Sequence, residues 1–308
     1  MKSTYTVFLG AWLAPLLAVS QPALADIDIR FDYSHDSGFF TGANSSRQNI
    51  LDAAASVFET RFEEGGTTAL TAITSGGSNQ FTARYLQPDS GNSTSIPGYS
   101  VAADQIVVFA GARDMGGTLA TGGPGGFSAN GSADFLENAS SRGQPGALTP
   151  IETDFGPWGG AISLNSTSNW HFDPDTTTDE PFSGFDLYSV AVHELGHTLG
   201  FGSADSFNND ISGGLFTGAA VNALLGYDPP LSDDDSHWAD GLSYLGQETV
   251  MDPSIASGQR KHFTELDYAA MTDIGWQVSP VPEAQTWAMM LAGLGLLGWR
   301  LRTYRRGV

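Results

Sequence analysis

Cysteine is absent from all 308 residues. No disulfide framework can staple the fold, and no thiolate can serve as a nucleophile, a metal ligand or a latency switch. Any metal must therefore be held by His, Asp or Glu. Positive charge is scarce too: 13 Lys+Arg stand against 34 Asp+Glu, a net charge of −21. Such a chain repels nucleic acid and anionic membrane surfaces before contact, so nucleic acid is excluded as a natural partner. What the sequence has in quantity is core material. A hydrophobic content of 41% with seven Trp and 18 Phe is ample for a globular body.

The two ends read as export signals. Lys2, an apolar run from Val7 to Val19 and Ala23-Leu24-Ala25 give residues 1–25 the layout of a secretory signal peptide. The far end carries Val281-Pro282-Glu283, the apolar run from Trp287 to Trp299, and then Arg300, Arg302, Arg305 and Arg306. That run is shorter than the roughly 20 residues of a permanent span, and its arginines would stay cytoplasmic. Residues 281–308 resemble the PEP-CTERM sorting signal of Gram-negative bacteria, departing from it at Ala284. The resemblance implies transient membrane anchoring and processing by an exosortase-type enzyme; a plain C-terminal anchor is the simpler alternative. Setting aside Lys2, Glu283 and the four tail arginines leaves 8 basic and 33 acidic residues in 26–280. That acidity suits structural Ca²⁺ sites and weak attraction for acidic substrates.

Within the body, Ile27, Ile29 and Phe31 alternate along a predicted strand. Ser45 and Ser46 are placed to cap a helix whose apolar positions run from Ile50 to Phe62. Strands are predicted at Thr68 to Ile73 and Gln105 to Ala110; the unbroken Ile106-Val-Val-Phe109 run marks the second as covered on both faces. Gly111 to about Pro150 reads as a flexible, exposed insertion without chemistry, because of Gly116-Gly117 and Gly122-Gly-Pro-Gly-Gly126. Trp158 to Asn165 reads as extended, and Asp173, Asp175, Asp179 and Glu180 as a solvated acidic loop. Asp186 is placed to cap a helix that Gly200 ends, and Thr264 to Gly275 reads as a second capped helix.

The helix between Asp186 and Gly200 contains His193-Glu194-x-x-His197. Two imidazoles one turn apart, with a carboxylate beside the first, can hold Zn²⁺ next to a general base. His193 and His197 are thus two ligands and Glu194 the base. A zinc hydrolase needs a third protein ligand and an open position for water. In most metzincin proteases that ligand is a histidine six residues after the second, but here the position is Ser203. His237, Asp205 and His262 remain as candidates; Glu248 and Glu265 lack an accompanying Asn-Glu-x-x-x-Glu pattern.

His237-Trp238, Glu248-Thr-Val-Met251 and Phe263 to Trp276 resemble leishmanolysin-type metzincins, over about residues 155–276. The resemblance implies His237 as third ligand, Met251 in a methionine turn beneath the metal, and Zn²⁺ as cofactor. It also implies an edge strand at Gly159, Gly160, Ala161 and Ile162 that pairs with a protein or peptide substrate. The insertion before His237 is shorter than in that family, and Pro253 stands where astacins and serralysins carry a tyrosine. The implied fold is α+β, a metzincin-like zincin. Residues 26–200 would supply a twisted mixed sheet, a backing helix and the active-site helix, and residues 201–280 a smaller subdomain with the methionine turn. The implied activity is that of an exported zinc endopeptidase. A non-catalytic surface or matrix protein on the same fold is the rival, and the intact Glu194 argues against it.

Overall fold

The computed structural model describes residues 25–64, 69–173, 175–176 and 181–280. The expected signal peptide up to residue 24, the tail from 281, Asp179 and Glu180 lie outside the described residues. Among the described residues no helix is long and apolar enough to cross a membrane.

A four-stranded sheet organises the upper part. Its strands are β1 (Asp28–Asp32), β4 (Gln105–Arg113), β5 (Ala120–Pro124) and β7 (Gly159–Asn165), in the order β1-β4-β7-β5. The first three are parallel and the edge strand β5 is antiparallel to β7. Parallel neighbours need a crossover, and α1 (Gln48–Glu59) supplies the one between β1 and β4. Register is fixed by the pairs Ile29 with Ile106, Ala110 with Ile162, and Ile162 with Gly122.

The apolar run in β4 serves two cores at once. Ile106, Val108, Ala110 and Ala112 join the large cluster under α1 and the helix at Leu187–Thr198. Val107 and Phe109 face the other way, into a smaller cluster with Phe81, Tyr85 and Trp158. This is the period-two alternation of a strand with both faces covered. The second cover is a three-stranded antiparallel sheet of β2 (Gln80–Leu86), β3 (Ser93–Pro97) and β6 (Gly126–Asn130). Tyr85 stacks on Phe109 with ring centroids 3.9 Å apart.

Three expectations are corrected here. Residues 111–150 are not a structureless insertion: they form β5, β6 and α2 (Ala133–Ser141), capped by Ser132. Of the strand expected at 68–73, among the described residues 69–73 only Ile73 forms a β-bridge, to Val101. Ser45 and Ser46 lie inside a 3-10 turn, Gly42–Arg47, ahead of α1 and provide no side-chain cap.

Beyond α3 (Leu187–Thr198) the chain becomes short helices and hairpins: α4 (Asp205–Asn209), α5 (Ala219–Leu225) and α6 (Glu265–Asp273). Asp273 accepts from the backbone N–H groups of Ala220 (2.6 Å) and Val221 (3.0 Å), joining α6 to the start of α5. Thr264 and Asp267 form a reciprocal capping box on α6. Trp276 closes the structure by donating to the Leu199 carbonyl (2.7 Å) and stacking on Phe62. The large cluster runs without a break from α1 through α3 to Trp238 and Met271, so one core supports both parts.

Candidate metal centre and substrate edge

Helix α3 is fixed at both ends. The buried Asp186 carboxylate accepts from the Ser189 backbone N–H (3.2 Å) and hydroxyl (2.7 Å). Arg260 donates to both of its oxygens at 3.0 Å. Ten of the twelve residues of α3 are buried, which marks a helix enclosed on nearly all sides. At the other end the Phe201 N–H donates to the Gly196 carbonyl and the Gly200 N–H to the His197 carbonyl, a Schellman stop. It needs the left-handed φ of +114° at Gly200. The same turn aims the Phe201 carbonyl back at His197, whose Nδ1 it meets at 2.9 Å.

Three histidines converge. His197 Nε2 lies 3.0 Å from His193 Nε2 and 3.1 Å from His237 Nε2. Three Nε2 atoms this close cannot all carry protons. The opposite nitrogens explain the tautomers: His193 Nδ1 faces the Val250 carbonyl (2.8 Å) and His197 Nδ1 faces that of Phe201. Carbonyls only accept, so both Nδ1 atoms carry the hydrogen and both Nε2 lone pairs face the common point. His237 Nδ1 is flanked by Ser236 Oγ (3.0 Å) and Asp234 Oδ1 (3.5 Å). Burial holds His193 well below its ordinary pKa and pushes His197 down to about 4. Both are therefore neutral near pH 7, as metal ligands must be. A tetrahedral zinc site with Zn–N bonds of about 2.0–2.1 Å places its nitrogens roughly 3.3 Å apart, so this donor set fits Zn²⁺.

His237 arrives from 40 residues away through two close approaches. At Gly202 a Cβ would lie 2.1 Å from the Ser236 carbonyl, so only glycine admits the incoming segment. The Trp238 N–H donates to the Met251 carbonyl (3.0 Å), and its indole N–H to buried Asp267 (2.9 Å). Met251 is itself fully buried, with its sulfur 2.5 Å from where a Gly196 Cβ would stand. The turn thus packs directly beneath the histidine-bearing face of α3, and its Val250 carbonyl orients His193.

Glu194 is buried beside the histidines on the wall of a cavity of about 960 Å³. Burial pushes its carboxyl up to about 8, opposed by a hydrogen bond from the Gly122 N–H. A cation held by the histidines would favour the ionised form. A Cβ on Gly122 would stand 2.6 Å from the Glu194 carbonyl and 2.9 Å from its carboxylate, so strand β5 reaches Glu194 only because it is bare there.

Gly159, Gly160, Ala161 and Ile162 do not form the edge expected of them. They lie in β7, paired with β4 on one side and β5 on the other, and Ile162 is fully buried. With both backbone edges in use, no substrate strand can be added there. The open edge belongs to β5, and Gly116 to Gly122 line the cavity. Asp205 is exposed at the start of α4, and His262 packs near Tyr188; neither joins the three histidines. Ser203 bonds the His197 carbonyl through its hydroxyl (2.7 Å). The sequence reading missed the role of Gly122, whose only signal was the glycine-rich run Gly122-Gly-Pro-Gly-Gly126.

Comparison with known proteins agrees with this geometry in part. Residues 138–209 match the matrixin family of peptidases, a stretch that includes β7, α3, His193, Glu194 and His197 and ends before His237. Residues 280–306 match the PEP-CTERM protein-sorting motif. No curated protein and no solved structure matches the chain. The two matches support a metzincin-like metallopeptidase with a C-terminal sorting signal, and the mixed α+β architecture is compatible with that fold.

Proposed function

We propose that this chain is an exported zinc endopeptidase whose metal is held by His193, His197 and His237. The observation that carries the reading is the convergence of their Nε2 atoms beside the buried Glu194 at the wall of an open cleft. When bound, Zn²⁺ supplies Lewis-acid polarisation of a carbonyl and lowers the pKa of water. Glu194 accepts the proton of the attacking water and passes it to the leaving amine. Burial raises the proton affinity of Glu194 and a cation on the histidines would lower it, so the carboxylate could take up and release a proton in turn. An extended polypeptide adds to the open edge of β5 by backbone pairing, which favours unstructured segments over folded ones. Met251 gives α3 a close-packed apolar floor.

The leishmanolysin-like separation of His197 from His237, and processing of the tail by an exosortase-type enzyme, belong to the same proposal. The test uses the exported form purified without added metal. One zinc per chain is expected, with cleavage of an unstructured polypeptide that stops on chelation and returns with Zn²⁺. Zinc bound without any cleavage would favour the non-catalytic binding protein, and chelator-insensitive cleavage would remove the metal from the mechanism.

A further inference from the structure

Beside the methionine turn lies a second group of acids that the proposed chemistry does not use. Ligand-capable oxygens of Asp240, Glu248 and Asp252 all fall within 4.8 Å of one another, a spacing at which carboxylates hold a divalent cation. Here a lysine reaches into the group. Lys261 Nζ lies 3.3 Å from Glu248 Oε1 and 2.5 Å from both Asp252 Oδ1 and the Ser254 carbonyl. The lysine is 2% exposed and Asp252 is 1% exposed. A buried ammonium with three acceptors is well satisfied, while two carboxylates this close are stabilised together by a cation or a shared proton between them.

We infer that Lys261 is a positioning residue for the metal centre, its ammonium acting as an internal cation that locks the turn from Glu248 to Ser254. That turn supplies the Val250 carbonyl that orients His193, and the Met251 side chain and carbonyl that meet Gly196 and Trp238. The acids gather the rest of the loop: Asp252 accepts from the Gly241 N–H (3.2 Å) and the Ser254 N–H (3.0 Å), and Asp240 accepts from the Ser254 hydroxyl (2.6 Å). Gln259 bonds the second oxygen of Glu248. The backbone of Lys261 is meanwhile fastened to α3, its N–H donating to Ser189 Oγ (2.7 Å) one turn before His193. Lys261 therefore joins the first turn of the histidine helix to the floor beneath it.

The inference rests on the reading of His193, His197 and His237 as a zinc site, and its test separates the two. Zinc affinity is measured by competition with a chromophoric chelator on the exported form, in calcium-free buffer and with about 5 mM Ca²⁺, the range of weak oxygen-ligand sites. Lys261→Ala should bind zinc about tenfold or more weakly without calcium, the usual loss on removing support behind a ligand. It should recover to within about threefold of wild type with calcium, which would take the vacated place among the acids. Lys261→Arg, which keeps the charge, should stay near wild type, and Lys261→Met, which keeps only the stem, should be weak. A Lys261→Ala protein that folds only in calcium also supports the inference. Unchanged zinc affinity in Lys261→Ala, or a loss that calcium does not repair, overturns it. A wild-type chain that binds no zinc would instead overturn the zinc site itself.

Discussion

The contact between β5 and Glu194 can be probed with one methyl group. In Gly122→Ala the new Cβ would stand 2.6 Å from the Glu194 carbonyl oxygen, 2.8 Å from its Cβ and 2.9 Å from its carboxylate. The carbon–carbon distance is about 0.7 Å inside the usual 3.5 Å contact, so the strand or the helix must move. Overpacking of that size costs about 1–3 kcal/mol. A displacement approaching 1 Å at the base or the substrate edge is expected to lower kcat/KM by about 10²-fold. The adjacent position is the control, because a Cβ on Gly123 meets nothing within 4 Å. Gly123→Ala should change stability by less than about 0.5 kcal/mol. Urea unfolding of both variants, with kcat/KM on an unstructured peptide, reads the difference. Equal stability losses, or a Gly122→Ala enzyme as stable and active as wild type, would refute the placement of β5 against Glu194.

Three further outcomes follow from the same geometry. Glu194→Gln should retain zinc but lose about 10²–10⁴-fold in kcat, as expected for removal of a general base; zinc analysis and peptide hydrolysis check both halves. In the metal-free protein burial pushes the Glu194 carboxyl from its ordinary 4.5 up to about 8. Its folded-state pKa is raised, so its stabilisation is complete below about pH 4.5 and is lost as pH rises through 8, a change of up to about 5 kcal/mol. Thermal melts of the apoprotein between pH 7 and 8.5, above the range in which His193 and His197 titrate in the unfolded chain, should show this decline in wild type and a shallower one in Glu194→Gln; parallel curves would contradict it. Trp238→Phe deletes the donor to buried Asp267 and should cost about 1–3 kcal/mol in urea unfolding, with weaker zinc binding because His237 loses its neighbour's anchor.

Helix α3 was legible because its limits are written in local chemistry, Asp186 at the start and Gly200 at the end, and because His193 and His197 share one face. The two-sided burial of β4 was legible for a similar reason, in the unbroken run Ile106 to Phe109. His237 was not legible from spacing alone. Its place depends on contacts made by its two neighbours, Ser236 with Gly202 and Trp238 with Met251, 34 and 13 residues away in sequence, and only a family resemblance suggested it. Strand β5 was illegible for a different physical reason: Ala120-Thr-Gly-Gly-Pro124 has no β-branched alternation and only Ala120 to bury. It is a strand because β7 offers it a pairing edge and Glu194 tolerates nothing larger than glycine beside it. The more strand-like Gly159 to Ile162 drew attention to the wrong edge because a fully enclosed strand and an exposed one can share the same short sequence pattern.

The central claim is that three imidazoles, the third from His237, complete one zinc site. X-ray absorption at the zinc edge tests it most directly. The account predicts three imidazole nitrogens and one oxygen at about 2.0–2.1 Å in the wild type, and loss of one imidazole with weakened binding in His237→Ala. A spectrum with two imidazoles in the wild type, or one unaltered by His237→Ala, would contradict it.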